Sequence, residues 1–196
     1  MSILALASNT LVTAASGQIE YNGQFFGTDS NASRAQLQRI TAATAVASTS
    51  GTSIDFTGIP AWVKRITVML QGVSTNGTSF PQIQIGSGSF STSGYVSAGN
   101  YSIGAGQFTS ATTGFVLEPS GGATAANLRS GSVIFTLINS NTWVSQGIIY
   151  SSSLTFNNMS SGASPALGGA LDRIRLTTIT GTDTFDAGTV NIIYEG

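Results

Sequence analysis

The feature that most constrains the fold of this chain is a series of short segments in which apolar and polar residues alternate. One such segment covers residues 64–71, where Ile66, Val68 and Leu70 fall on the same face. This alternation is typical of a half-buried β-strand, because successive side chains of a strand point to opposite faces. Residues 133–138 are apolar on both faces, which predicts a central strand that is covered on both sides.

Clusters of glycine, serine and asparagine separate these segments and are typical of turns. Asn139–Asn141 lies between the apolar residues 133–138 and the segment 143–150, which predicts a β-hairpin. The four prolines lie at segment ends, where a missing N–H group is tolerated. A helix is expected only over residues 34–40, and it is short. The sequence therefore predicts an all-β fold, an antiparallel β-sandwich or jelly-roll-like domain.

The composition changes near residue 45. We predict an N-terminal arm with a small β-hairpin over residues 1–43 and a β-sandwich domain over residues 44–196. The hairpin covers residues 17–28, where Asn22 and Gly23 favour a two-residue turn. A hairpin of this size is not stable alone, so we expect it to pack on the main domain or on a neighbouring chain.

Aromatic and aliphatic side chains are concentrated in this hairpin. Ile19 and Tyr21 share one face, and Phe25 and Phe26 lie just across the turn. Residues 1–16 carry few apolar anchors, which predicts an extended arm. The first residues lack the positively charged start and long apolar stretch of a signal peptide, so we expect mature sequence there.

Composition excludes several classes of function. The chain has no histidine, no cysteine, and 7 Lys+Arg against 8 Asp+Glu, so we expect no histidine base, thiol nucleophile or zinc site of the nitrogen and sulfur type. Seven scattered basic residues argue against nucleic-acid binding. No apolar run approaches the ~18 residues of a spanning helix, so we expect no membrane insertion. Charged residues make up only 8%, which favours a surface covered in an assembly, or one solubilised by serine and threonine.

Two acidic sets could carry chemistry, and for each we favour a structural role. Calcium would need Asp183 and Asp186 with Asp172 as a third ligand, but the EF-hand spacing is absent and we expect turn capping. We expect no metal, no cofactor and no enzymatic activity. A carboxylate pair for glycoside hydrolysis has no local support and would have to come from Asp55, Glu118 and Glu20.

The basic pair Arg173 and Arg175 lies on one strand face. It could bind an anion on a partner, and we favour ion pairs with Asp172 or Glu195. The aromatics Tyr95, Tyr101 and Phe108 lie in the Gly/Ser-rich residues 86–112 and are either anchors for a host glycan or core side chains, which we favour.

Three stretches resemble structural proteins of tailed-bacteriophage virions. Residues 17–26 (GQIEYNGQFF), followed by Arg34, resemble a segment that precedes the distal domain of tail fibres. Residues 50–68 resemble the opening of a β-domain common in such proteins. The closing stretch, residues 171–195, is similar to the end of that domain. In this order the three stretches favour a virion protein without fixing its position on the particle.

The resemblance implies a location on the exterior of the virion, after assembly in the bacterial cytoplasm. Because only residues 1–16 precede the hairpin, we favour a capsid decoration (cement) protein over a full fibre. It would associate as a homotrimer and contact the major capsid protein or another virion protein. The contact residues are expected in and after the hairpin: Ile19, Tyr21, Phe25, Phe26 and Arg34.

The alternative is a tail-fibre or head-fibre tip that binds host surface polysaccharide. Its working surface would be the loops of residues 74–80 and 86–112, and its receptor-facing residues Tyr95, Tyr101 and Phe108.

Overall fold

The computed structural model of the protein describes residues 17–21, 25–29, 31, 33–101, 107–120 and 124–196. The chain forms two compact units, Met1–Arg39 and Ile40–Gly196. The described residues contain strands and turns but no helix. The prediction of an all-β, antiparallel, sandwich-like fold is therefore confirmed. Residues 1–16, the predicted arm, lie outside the described part of the chain.

The strands are labelled in chain order. They are β1 (Ile19–Tyr21), β2 (Phe25–Thr28), β3 (Arg34–Gln36), β4 (Ile40–Ala42), β5 (Val46–Ala47), β6 (Ser53–Thr57), β7 (Arg65–Thr75), β8 (Pro81–Ser87), β9 (Ser89–Phe90), β10 (Val96–Tyr101), β11 (Gln107–Ala111), β12 (Phe115–Val116), β13 (Arg129–Asn139), β14 (Thr142–Ser151), β15 (Phe156–Ala163), β16 (Arg173–Thr178) and β17 (Phe185–Glu195).

The first unit contains a three-stranded antiparallel sheet in the order β1-β2-β3. The predicted helix over residues 34–40 was wrong, because Arg34–Gln36 pairs with β2 and satisfies its backbone groups in an extended conformation. The register pairs Tyr21 with Phe25, whereas a two-residue turn would pair Tyr21 with Gln24. Residues 22–24 themselves lie outside the described residues.

The second unit is built from two sheets. The larger has nine strands in the order β11-β10-β15-β14-β13-β7-β17-β4, with β5 also paired to β17, and the smaller has five in the order β12-β8-β16-β6, with β9 paired to β8. The predicted hairpin is confirmed, since β13 and β14 pair along their length up to Asn139 and Thr142. Strand β4 pairs with β17, so residues 40–42 belong with the sandwich and not with the preceding sheet.

Each sheet receives a strand from the end of the sequence. Strand β16 lies between β8 and β6 in the smaller sheet, and β17 lies between β7 and β4 in the larger one. Strand β17 pairs with β7 from Phe185 to Glu195. Residues 173–195 therefore complete both layers of the sandwich.

The hydrophobic core lies between the inner faces of the two sheets. The predicted alternation in β7 is confirmed, because Ile66, Val68 and Leu70 are all buried. The rings of Phe115 from the smaller sheet and Phe135 from the larger one meet edge to face with centroids 5.1 Å apart. Burial of this apolar surface is the main stabilising contribution to the unit. The predicted core residues Ile54, Phe56 and Ile59 are buried, and Trp62 packs against them half-exposed.

One ion pair lies inside the sandwich. Glu118 and Arg129 have side-chain exposures of 0% and 1%, and the Arg129 Nη2 atom lies 2.6 Å from Glu118 Oε1. A second bond, from Arg129 Nε to Glu118 Oε2 at 2.9 Å, makes the contact bidentate, the strong form of this interaction. Arg129 Nη1 also donates to the Asn127 carbonyl at 2.9 Å. The charges therefore compensate each other away from water.

Tyr95 is buried, and its hydroxyl lies within a backbone turn. The hydroxyl accepts a hydrogen bond from the Ile85 N–H at 3.0 Å and has the carbonyls of Ser91 and Ile85 within 3.0 and 3.2 Å. Burial raises the pKa of Tyr95 from 10.0 to about 12, with a smaller opposing effect from the Ile85 hydrogen bond. The folded state therefore favours the protonated hydroxyl.

This pKa predicts an alkaline loss of stability. The folded pKa lies above the unfolded one, so the stabilisation is present in full below pH 10.0 and is lost as the pH rises towards about 12. We expect the free energy of unfolding of the wild type to fall towards that of Tyr95→Phe over this interval, measured by urea denaturation at a series of pH values. A difference between the two proteins that stays constant from pH 8 to 12 would contradict the prediction.

Candidate functional site

The N-terminal sheet carries most of its apolar side chains on one face and an ion pair on the other. Ile19 pairs with Gly27, and Gly27 pairs with Ala35, so these three residues lie on one face. Tyr21 and Phe25 pair on that same face. The ring centroids of Tyr21 and Phe25 are 5.0 Å apart. We call this side of the sheet the apolar face.

Leu37 extends the apolar face beyond β3. Its N–H donates to the Phe25 carbonyl at 2.9 Å, and its side chain lies against Gly27. Ile19, Phe25 and Leu37 remain 70%, 47% and 49% exposed. Ile19 and Leu37, with Gly27 and Ala35 between them, line part of a groove of about 470 Å³. Its remaining lining consists of Gly17, Gln18, Thr28, Asp29 and Ser33. A sheet that exposes this much apolar surface resembles one half of an interface.

The opposite face of the sheet is polar. Arg34 reaches across β2 to Glu20, with its Nη2 atom 2.6 Å and its Nε atom 2.7 Å from Glu20 Oε2. Phe26 and Thr28 lie on this side, because they pair with Gln36 and Arg34. The Glu20–Arg34 ion pair joins the two outer strands, β1 and β3, and so holds the small sheet together.

The structure therefore divides the predicted contact set. Ile19, Tyr21 and Phe25 share the apolar face, whereas Phe26 and Arg34 lie on the polar one. Adjacent residues of a strand point to opposite sides, so Phe25 and Phe26 cannot both contact one flat partner. Sequence reasoning missed Leu37, because a helix was expected there; the alternation of Ala35 and Leu37 was the available signal.

The alternative receptor-facing aromatics do not form one surface. Tyr95 is 1% exposed, so the receptor-facing interpretation of this residue is corrected to the core interpretation. Tyr101 is half-buried, with its ring 5.8 Å from that of Phe156. Phe108 is 73% exposed. Residues 102–106, part of the predicted glycan-binding loops, lie outside the described residues.

Each of the eight acidic side chains has a local partner. Asp183 accepts the Ser79 N–H at 2.7 Å, Asp186 bonds the Ser74 hydroxyl, and Asp29 accepts two N–H groups of its own turn. The other five pair with arginines: Glu20 with Arg34, Asp55 with Arg175, Glu118 with Arg129, Asp172 with Arg173, and Glu195 with Arg65.

These pairings bear on the predicted chemistry. The three acids considered for glycoside hydrolysis each bind a different arginine. Within the described part of the chain, no group of three or more acidic side chains is placed to hold a metal ion. In this structure these carboxylates accept hydrogen bonds from arginines, hydroxyls and backbone N–H groups.

Arg173 and Arg175 form ion pairs, as expected, although the partner of Arg175 is Asp55 on the neighbouring strand β6. The side-chain hydrogen bond from Arg173 lowers the pKa of Asp172. Both guanidinium groups lie over the Phe90 ring, at 5.7 and 4.1 Å from its centroid. Each of the two guanidinium groups therefore forms both an ion pair and a cation–π contact.

No protein-family model matches this sequence, and no curated protein matches it. Among the residues that the structure describes, none belongs to a helix long and apolar enough to cross a membrane.

Proposed function

We propose that this chain is a non-enzymatic structural protein on the exterior of a tailed-phage virion, where it acts as a capsid decoration protein. The apolar face of the N-terminal sheet docks on the major capsid protein or another virion protein. The sandwich, associated as a homotrimer, lies over a junction between capsid subunits. Because it binds the assembled lattice and not its free subunits, it stabilises the lattice by mass action.

The observation that carries this proposal is the exposed apolar face itself. A three-stranded sheet needs one covered hydrophobic face to be stable in water. Here Ile19, Phe25 and Leu37 are about half-exposed or more, while the Glu20–Arg34 pair organises the other face. Such a sheet is suited to docking on a complementary surface, which would supply the missing burial.

The non-enzymatic assignment is supported by the state of the polar side chains. The chain has no histidine and no cysteine, so a nucleophile or proton transfer would depend on its carboxylates. Each carboxylate is bonded to an arginine, a hydroxyl or a backbone N–H. The virion location is supported by the sequence resemblance of residues 17–26, 50–68 and 171–195.

A fibre tip that binds host polysaccharide has less support. Of the three aromatics expected to contact a glycan, Tyr95 belongs to the core and Tyr101 packs on Phe156. Only Phe108 presents most of its ring to solvent.

The proposal is tested by disrupting one face of the N-terminal sheet at a time. In phage that carry the gene, Ile19→Ser with Phe25→Ser should abolish incorporation of the protein into purified particles. Two anchors worth about 2 kcal/mol each weaken binding roughly 1,000-fold when removed together. The matched control is Phe26→Ser, which makes the same change on the polar face and should keep most of the incorporation.

Thermal unfolding of the purified variants should match the wild type, because the substitutions lie outside the sandwich. Normal incorporation of the double variant would contradict the docking role of the apolar face. Electron microscopy with a labelled antibody then locates the protein. Label confined to the tail would overturn capsid decoration and favour the fibre-tip alternative.

A further inference from the structure

A row of side chains that includes three large apolar residues crosses the outer side of the nine-stranded sheet. The register pairs Phe108 with Asn100, Asn100 with Met159, and Met159 with Ile148. Paired residues point to the same side of a sheet. The row therefore extends from β11 to β14 and continues to Ser132 on β13. We call the side of β10, β11, β13, β14 and β15 turned away from the smaller sheet the outer face.

The outer face leaves large side chains in solvent. Ile148 is 59% and Met159 47% exposed, and with Ile134 they line an apolar groove of about 560 Å³. Val96 and Tyr150, on the same side, are also exposed. On the other side of β13 and β14, Val133, Phe135, Trp143 and Ile149 belong to the core. Strands β13 and β14 thus carry apolar side chains on both sides, which a solvated antiparallel sheet does not need.

The outer face carries no charge in the described strands that form it. The sequences of β10, β11, β13, β14 and β15 contain one charged residue, Arg129. Its guanidinium points into the core, where it binds Glu118. The nearest charged pair on the larger sheet, Arg65 with Glu195, lies on β7 and β17. A partner with a charged surface would have to bury those charges here unpaired, which is costly.

We propose that the outer face binds a second copy of this chain, sheet against sheet. A neutral face meets its own copy without repulsion, and the net charge of −1 per chain adds little at long range. The apolar row can pair with itself across a symmetry axis. Sheets that pack in this way lie about 10 Å apart with apolar side chains between them.

The size of the face suits such an interface. The five strands from β11 to β13 cover about 24 Å at about 4.8 Å per strand, and β13 is about 27 Å long between Ser130 and Ile138. The resulting footprint of roughly 650 Å² is close to the ~800 Å² per partner of a stable interface. A face that pairs with itself across a two-fold axis closes at two copies, so this contact is separate from the three-fold association in the proposed function. Its test uses the purified chain alone, so it can fail while docking on the virion stands.

Sedimentation equilibrium of the full chain over about 1–200 µM tests the inference. We expect concentration-dependent association of the wild type. Ile148→Lys and Met159→Lys, each at an exposed position, should weaken it by roughly 100-fold, as loss of a central anchor does. The matched control is Thr57→Lys on β6 of the smaller sheet, which should associate like the wild type. Unfolding in dilute solution checks that each variant is folded.

A wild type that remains monomeric throughout would overturn the inference. Association that persists in both lysine variants, or that Thr57→Lys also abolishes, would overturn it as well. A second measurement uses the absence of cysteine from the chain. Gln146→Cys places one thiol in the middle of the outer face, and mild oxidation should give covalent dimers that disappear when Ile148→Lys is added. Failure to form dimers in an associating protein would contradict the sheet-to-sheet arrangement.

Discussion

Replacing Arg129 by methionine is expected to lower the free energy of unfolding by about 3–5 kcal/mol, the cost of leaving one partner of a buried ion pair unpaired. Glu118 is fully buried, and both of its oxygens are bonded to the Arg129 guanidinium. Methionine fills a similar volume but donates no hydrogen bond. Among the described residues, the Asn127 amide, 3.3 Å from Glu118 Oε2, then remains as a side-chain donor to the carboxylate. Urea denaturation at neutral pH measures the loss.

A double variant identifies the cause of this effect. Adding Glu118→Leu to Arg129→Met removes the unpaired charge, so we expect the double variant to be more stable than the single one. The double variant remains less stable than the wild type, because Asn127 and its neighbours lose partners. A loss below about 1 kcal/mol for Arg129→Met, the value typical of an exposed pair, would contradict the buried position of the contact.

Replacing Tyr95 by alanine is expected to lower the free energy of unfolding by about 3–5 kcal/mol, as for other buried aromatic side chains. The ring packs edge to face on Phe115 with centroids 5.0 Å apart, so its loss opens a cavity beside the core. Tyr95→Phe keeps the ring but leaves the Ile85 N–H without the hydroxyl that it binds. We expect that variant to lose about 1–3 kcal/mol.

The matched control for Tyr95 is Phe108→Ala. Both residues belong to the Gly/Ser-rich stretch 86–112, but Phe108 is mostly exposed, and its truncation should change stability by no more than about 0.5 kcal/mol in dilute protein. Equal losses for the two variants would mean that Tyr95 is not a core residue. Unchanged stability of Tyr95→Ala would return it to the candidate receptor contacts.

The strands were predictable where a local sequence pattern, such as the alternation of apolar and polar residues, was clear. The alternation of Ile66, Val68 and Leu70 and the turn residues Asn139–Asn141 are local patterns, and both correspond to the observed strands. The short segment at Arg34–Gln36 was mistaken for a helix, because its strand depends on pairing with β2. Tertiary pairing of this kind overrides weak local preferences.

The candidate site was only partly predictable. Alternate residues of a strand lie on the same face, which places Ile19 with Tyr21. The same alternation places Phe25 and Phe26 on opposite faces. The partner of Arg175 was not predictable, because Asp55 is adjacent only through the strand order β16-β6. The outer face was not predictable for the same reason, because its row of side chains comes from strands that are separated in the sequence. Alternation marks which residues point outwards, but strand order decides which of them meet.

The position of β16 and β17 has a consequence for how the protein is made. A ribosome produces the chain from its N-terminus, and domains fold as their residues emerge. Until residues 173–195 have been made, β8 and β6 have no strand between them and β7 lacks one neighbour. The nascent sandwich therefore presents open strand edges for most of its synthesis, and such edges pair readily with other chains. Completion of the fold is tied to the arrival of its last strands, so a polypeptide cut short before them would be prone to aggregate.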